Sequence, residues 1–314
     1  LIPNFYQKLK EKGEGKMRKR IFSLLLAIIF IISLSGCGQG EAVGEGTITI
    51  GSKDFTENIV LAHIMADIIE AKTALKVERK VNLGGSNVAL KALQNNDIQM
   101  FPDYTGTIVA NYYQEETGSS EETLEKARKL TERDGFKVLE PFGMNNTYTL
   151  AVTRETAEKY NLKTFSDLAQ VSENLILGCE FEFQDRPDGY PGLQQVYNMN
   201  FKDVKGMSHG IKYRSISEGE VDVVDAYSTD GQLKVFDLVI LKDDKEFFPP
   251  YDGLPLVRQD ILEQYPEIED ALNLLAGLID DKTMQELNAK VDFEGLKAEK
   301  VASDFLVSKG LIDE

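Results

Sequence analysis

What most constrains this chain is an alternation of short apolar runs with segments of helical spacing, repeated from residue 47 onward. Thr47 to Ile50 alternates as a strand and runs into Gly51-Ser52-Lys53-Asp54-Phe55-Thr56-Glu57. Ile59, Ala62, His63, Ala66 and Ile69 then recur at helical spacing. Val77 to Leu83 reads as a second strand, leading through Gly84-Gly85-Ser86 into a helix over about 87–95. Ile98 to Phe101 reads as a third, buried strand. Thr147 to Thr153, Leu175 to Cys179 and Val221 to Val224 repeat the pattern, with helices between, such as Gly192 to Met199. Strands that alternate with helices predict a mostly parallel sheet with covered faces. From Leu256 onward the stripe Ile261, Leu262, Leu272, Leu275 and Leu278 predicts helices without a sheet of their own, which must pack back on the first set. The expected fold is therefore α/β in two lobes, 47–145 with 252–314 and 146–251, with a cleft between them and two crossovers.

With 314 residues, two sizeable cores are affordable. The formal net charge is −17, and residues 1–36 are basic, so the remainder is more acidic still. That balance argues against nucleic acid or an anionic membrane surface as a partner. Cys37 and Cys179 are the two cysteines; Cys179 follows the apolar run Leu175 to Gly178 and reads as a small core residue. The two histidines, His63 and His209, sit in a helical pattern and a Gly-flanked loop, and nothing marks either as a general base. No compact metal-ligand cluster, P-loop or dinucleotide fingerprint is present, so neither metal nor cofactor is expected.

The amino end reads as a targeting segment. Residues 17–36 have the form of a signal peptide: Met17-Arg18-Lys19-Arg20 is a basic n-region, and Ile21 to Leu34 is an apolar run short for a membrane span. Leu34-Ser35-Gly36-Cys37 resembles the lipobox of bacterial lipoproteins, which implies a lipid on Cys37 and an anchored, extracytoplasmic protein. Residues 1–16 are expected to be an upstream extension of the reading frame. Residues 37–46 read as a Gly/Glu-rich tether.

Four tyrosines fall where the walls of a cleft are expected rather than on a core stripe. Tyr104 stands in Pro102-Asp103-Tyr104-Thr105-Gly106-Thr107, directly after the third strand. That stretch is compatible with an ordinary turn, and equally with the ligand crevice at the carboxyl ends of strands. Tyr148 follows Asn145-Asn146-Thr147 at the first crossover. Tyr227 lies in Asp225-Ala226-Tyr227-Ser228-Thr229-Asp230-Gly231, and Tyr251 in Phe248-Pro249-Pro250-Tyr251-Asp252-Gly253 at the return crossover. Tyr112 and Tyr265 sit on helical patterns and read as ordinary.

At these residues the sequence resembles the substrate-binding proteins of osmoprotectant ABC importers, the glycine betaine/carnitine/choline family. The likeness runs from about Ile48 to Ile312, and it is the combination of motifs that makes it specific. It implies a two-lobed periplasmic-binding-protein fold of type II topology and an ABC permease as partner. It also implies a quaternary-ammonium cage of Tyr104, Tyr148, Tyr227 and Tyr251. In the betaine-binding branch it implies a carboxylate held by Lys53, Thr107 and Arg186, the last in Gln184-Asp185-Arg186-Pro187-Asp188-Gly189.

The chemistry is consistent with that. A trimethylammonium has no N–H to donate, so it is read by aromatic faces, at about 0.5–2 kcal/mol per good contact. No Trp is present, which leaves Tyr or Phe for the task. A carboxylate calls for a fork such as Arg186, a point charge such as Lys53, and a hydroxyl. Either cation can equally be a surface charge satisfied by the many acids. Some relatives place an acid just before the second cage tyrosine or at the position of Thr107. Here Asn146 and Thr107 stand there; the absence of a counter-charge at both positions disfavours choline without excluding a broad-specificity site. The expected function is a non-enzymatic binding protein for glycine betaine, with proline betaine, carnitine or choline as further ligands. The alternative is an extracytoplasmic sensor, or an enzyme acting on a small zwitterion.

Overall fold

The computed structural model describes residues 46–313. Residues 1–45 lie outside the described residues, and with them the expected leader, Cys37 and all of the tether but Gly46.

Among the described residues ten strands form two five-stranded sheets. The first contains β1 (Thr47–Gly51), β2 (Lys76–Lys80), β3 (Met100–Tyr104), β4 (Phe136–Val138) and β10 (Gly253–Arg258), in the order β2-β1-β3-β10-β4. The second contains β5 (Tyr148–Thr153), β6 (Ile176–Glu180), β7 (Asp203–Met207), β8 (Val223–Tyr227) and β9 (Leu238–Ile240), in the order β7-β6-β8-β5-β9. The two follow one plan. Three strands are parallel, and the strand entered directly after a crossover, β10 or β5, inserts antiparallel beside the third.

The helices that matter for the site are α1 (Thr56–Lys72), α2 (Ser86–Gln94), α3 (Ser120–Arg133), α4 (Tyr190–Tyr197), α5 (His209–Ser217), α6 (Asp281–Asp292) and α7 (Ala298–Ser308). Helix α1 is apolar nearly all round, with Val60, Leu61, Ile64, Met65, Ile68 and Ile69 buried. A helix of that kind needs cover on both sides. The first sheet supplies one, and α6 and α7 of the carboxyl-terminal tail the other. The charged helix α3 starts from a capping box in which Ser119 and Glu122 satisfy each other's backbone N–H.

Two departures from the sequence reading matter. Pro102-Asp103-Tyr104 is not a turn after the third strand but its carboxyl half, since β3 runs to Tyr104. The tail also contributes a strand, β10, where only helices were expected. Both contain proline, which argues against a central strand because it donates no N–H. Here Pro102 and Pro255 stand directly opposite one another. Such a pair fits a ladder only at a non-hydrogen-bonded position, where neither residue is asked for an N–H.

The two connections between sheets run side by side. Asn145 and Asp252 form an antiparallel bridge, Asn146 N donates to Tyr251 O (3.0 Å), and Gly253 N donates to Met144 O (3.1 Å).

Because the tail completes the cover of α1, its packing belongs to the stability of the first sheet. Leu306 on α7 is fully buried. Leu306→Ala is expected to destabilise the protein by about 2–5 kcal/mol in urea denaturation, the range for a truncated core leucine. A change below about 0.5 kcal/mol would mean that the tail is not part of this core.

Candidate functional site

Where the strands of both sheets end, eleven residues enclose a tight cavity of about 20 Å³. That is room for about one water molecule, so the walls must part before a solute enters. All seven residues expected from the sequence line it: Tyr104, Tyr148, Tyr227, Tyr251, Lys53, Thr107 and Arg186. Phe55, Ser86, Asn146 and Glu182 complete the wall.

Local structure explains the convergence. Tyr104 is the last residue of β3, and Thr107 opens a π-helical turn, Thr107–Tyr112. Tyr148 begins β5 and Tyr227 ends β8; the two strands are antiparallel and place these residues in register. Their ring centroids lie 5.0 Å apart. Tyr251, on the return connection, meets Tyr148 edge-on at 5.5 Å and 79°. Phe55, just ahead of α1, closes the ring at 5.2 Å from Tyr227 and 6.3 Å from Tyr104. All four tyrosines are buried.

Each phenol is fixed by a charged group. Tyr104 Oη donates to Glu57 Oε1 (2.8 Å), Tyr227 Oη to Glu180 Oε2 (2.8 Å) and Tyr251 Oη to Asp188 Oδ2 (2.6 Å). Tyr148 Oη accepts from Arg186 Nη1 (3.0 Å). Burial pushes all four phenols well above their ordinary pKa, and neighbouring acids add to this, so the rings are neutral.

The two expected cations are buried rather than superficial, and both are paired with acids. Lys53 Nζ lies 2.7 Å from Asp103 Oδ1. Arg186 donates Nε and Nη2 to the two oxygens of Asp188, both at 2.7 Å. Its remaining N–H groups go to Tyr148 Oη, to Glu182 Oε1 (3.2 Å) and to Thr107 Oγ1 (3.3 Å). A guanidinium has five donors. Every one is engaged, so Arg186 offers a ligand carboxylate a fork only if one of these partners moves.

Asn146 and Thr107 carry no charge to the wall, but an acid reaches it from elsewhere. Glu182 lines the cavity, accepting from Ser86 N (2.6 Å) at the start of α2 and from Ser86 Oγ (3.0 Å). This acid and Ser86 are 96 residues apart, so no local motif announced it. Glu182 stands where an anion is favoured, at a helix N-terminus and beside a guanidinium.

His209 is likewise not a loop residue. It begins α5, with Nδ1 at 2.7 Å from Glu180 Oε1 and Nε2 at 3.3 Å from Asp230 Oδ1. Its ring stacks on Tyr227, with centroids 5.5 Å apart and planes 12° apart. Burial opposes its charge, but Asp230 and Glu180 outweigh burial and push its pKa up to about 10. Lys212, wholly buried, binds Glu180 Oε1 (2.9 Å) and Asp225 Oδ2 (3.2 Å) from below. Cys179 is a buried core residue as expected, and burial raises its thiol pKa. Tyr112, which read as ordinary, donates to Asp103 Oδ2 (2.8 Å) and so braces the partner of Lys53.

Two sheets of one topology, joined by paired connections around a closed aromatic cavity, define a two-lobed periplasmic binding protein. A family model described as the substrate binding domain of ABC-type glycine betaine transport systems matches residues 46–308, and the chain belongs to that family. It is 36% identical to a carnitine transport binding protein of Listeria monocytogenes, over 91% of this chain and 94% of the relative. It is 32% identical to an ergothioneine transport permease/ergothioneine binding protein of Helicobacter pylori, over 98% of this chain, and spans 56% of that relative's length. The crystal structure of a glycine betaine/carnitine/choline ABC transporter superposes with a TM-score of 0.66 at 32% identity, covering 85% of this chain and all of the other.

The histidine gives a pH dependence of known sign. Its pKa is 6.5 when unperturbed and about 10 here, so its imidazolium stabilises the fold fully below about 6.5. That contribution declines as pH rises toward about 10. Urea denaturation of wild type and His209→Gln across this range is expected to show a stability gap that narrows with rising pH. A gap that widens would mean that the buried imidazole is neutral.

Proposed function

We propose that this chain is the solute receptor of an ABC importer and binds a quaternary-ammonium compatible solute in the cavity between its sheets. Glycine betaine stands first, with proline betaine and carnitine as further candidates. The observation that carries this reading is the convergence of four buried phenol rings and Phe55 on one small closed space. Such a surface attracts a cation through ring faces and asks for no N–H in return. The names of the relatives point the same way. In this reading Tyr104, Tyr148, Tyr227 and Tyr251 hold the ammonium, while Lys53, Thr107 and Arg186 face the carboxylate. Lobes of residues 47–145 with 252–314 and of 146–251 close on the ligand by bending at the paired connections. A lipid on Cys37 keeps the receptor at the extracytoplasmic face beside its permease, and the protein carries out no catalysis.

Choline is a second reading, and Glu182 favours it. With this carboxylate already between Ser86 and Arg186, a ligand that brings none of its own meets no competition. Calorimetric titration of the chain from Gly38 onward with betaine, proline betaine, carnitine and choline separates the two. Betaine binding more tightly than choline supports the first reading, the reverse order the second, and binding of none overturns both.

The cage itself is tested at Tyr227. Tyr227→Ala is expected to weaken binding of the best of these ligands by about 1–3 kcal/mol, since ring attraction and apolar contact are lost together. Tyr227→Phe keeps the ring but leaves Glu180 without the phenol's hydrogen bond, so an intermediate loss is expected. Wild-type affinity in Tyr227→Ala would remove Tyr227 from the site.

Anchoring is tested separately. Cys37→Ala is expected to move the protein from the detergent phase to the aqueous phase after processing, or to leave it unprocessed. If the variant still partitions as a mature lipoprotein, Cys37 is not the attachment point.

A further inference from the structure

Glu57, the second residue of α1, is 2% exposed and does not itself line the cavity. Its carboxylate accepts four hydrogen bonds. Tyr104 Oη (2.8 Å) and Asn146 Nδ2 (2.7 Å) donate to Oε1, while Thr229 Oγ1 (2.6 Å) and Asn288 Nδ2 (3.3 Å) donate to Oε2. Among the described residues no Lys, Arg or His pairs with it. Burial, with Asp230 adding to it, raises its pKa above the ordinary carboxylate value, while the hydrogen bonds from Thr229, Tyr104 and Asn288 hold it down. A cation brought by the ligand is therefore what would favour the ionised form. The other acids around the site are unlike it: Asp103 faces Lys53, Asp188 faces Arg186, and Glu180 faces Lys212.

A buried carboxylate without a cation is costly unless hydrogen bonds and a nearby positive charge compensate it. Four donors supply the first. The second is missing from the protein, while two of the four donors, Tyr104 and Asn146, are themselves cavity wall. Asn146 carries a second sign. Glu57 holds its Nδ2, and its buried Oδ1 has no partner among the described residues. The amide is thus turned with its donor end on the acid and its acceptor end unengaged.

We infer that Glu57 is the counter-charge for the ligand's ammonium, selecting a quaternary ammonium over an uncharged group of the same shape through the Tyr104 phenol and the Asn146 amide. The inference rests on the quaternary-ammonium reading above. Glu57 is a positioning residue rather than a contact. It orients two wall groups and places an uncompensated negative charge one hydrogen bond behind them.

The test compares each quaternary ammonium compound with the isostere in which carbon replaces the charged nitrogen, choline with 3,3-dimethylbutan-1-ol and glycine betaine with 3,3-dimethylbutanoate. Affinities are measured for wild type, Glu57→Gln and Glu57→Asp. Glu57→Gln is expected to lower the affinity for the cations by about tenfold or more, on the scale of a charge interaction inside a protein, and that for the isosteres far less. The cation-to-isostere ratio therefore falls. Glu57→Asp keeps the charge and is expected to keep the ratio, even where both affinities drop. Equal losses for cation and isostere in Glu57→Gln would reduce Glu57 to a structural role and overturn the inference alone. Failure of wild type to bind either quaternary compound overturns the functional reading, and the inference with it. If Glu57→Gln does not fold, the carboxyl 13C resonance of Glu57 in choline-bound wild type decides. An ionised group at neutral pH supports the inference and a protonated one overturns it.

Discussion

The site depends on the hydrogen bond between a buried phenol and a buried charged group, repeated for each of the four tyrosines that line the cavity. A phenyl ring in a small cavity is held by packing alone and can turn about its two side-chain torsions. A phenol whose oxygen is tied at 2.6–3.0 Å to a carboxylate or guanidinium has little such freedom. Each bond to a charged group is worth about 1.5–3 kcal/mol, more than a neutral one. The charged groups are fixed in turn: Glu180 by Lys212 and His209, Asp188 by Arg186, and Glu57 by two asparagines and a threonine. The walls are thereby ordered before a ligand arrives, which reduces the entropy lost on binding.

Some of these bonds, with one more, join the two sheets. Glu57 and Tyr104 belong to elements of the first sheet's layer, yet Thr229 follows β8 of the second. Tyr251, on the return connection, reaches Asp188 of the segment ahead of α4. Ser86 at the head of α2 meets Glu182, which follows β6. Closure of the cavity and order within it therefore share contacts: those of Thr229, Tyr251 and Ser86 cross between layers, while Tyr104–Glu57, Tyr148–Arg186 and Tyr227–Glu180 order each wall from within its own layer. A substitution in this set is expected to act on ligand affinity and on the balance of open and closed forms together. A clean separation is offered only by ligands that differ in charge and not in shape.

Much of this was legible in the sequence, and the parts that were not share a cause. The alternation of strands and helices, and the tyrosines at the ends of β3 and β8 and the start of β5, follow from local pattern, because strand ends are where a cleft must open. Lys53 and Arg186 were legible as cations near the site, but not their partners. Asp103 stood in a stretch compatible with a turn or a ligand crevice, and nothing in the local pattern marked Asp188 as the partner of Arg186. Glu57, Glu182 and His209 escaped because each acts through residues far along the chain; Thr229 lies 172 residues from Glu57. An isolated acid in a sequence with 52 of them carries no signal of burial. Strand β10 escaped for a local reason: Gly253 and Pro255 count against a strand unless its partner is known to place Pro102 opposite.

The arrangement also bears on why acids stand behind the rings. A carboxylate exposed in the cavity is a strong hydrogen-bond acceptor, and it favours ammonium ions that carry N–H groups, or a hydrated metal cation. A quaternary ammonium satisfies no acceptor, so an acid in direct contact would lose its water and gain no hydrogen bond. Placed one layer back, the acid keeps its hydrogen bonds to Tyr104, Asn146, Thr229 and Asn288, and only its field reaches the cavity. Coulomb attraction falls slowly with distance in a poorly polarisable interior, whereas a hydrogen bond is lost within an ångström. A charge behind an aromatic wall therefore separates attraction for a cation from demand for a donor. That separation is what a receptor needs to prefer a methylated ammonium to the far more abundant ions that surround it.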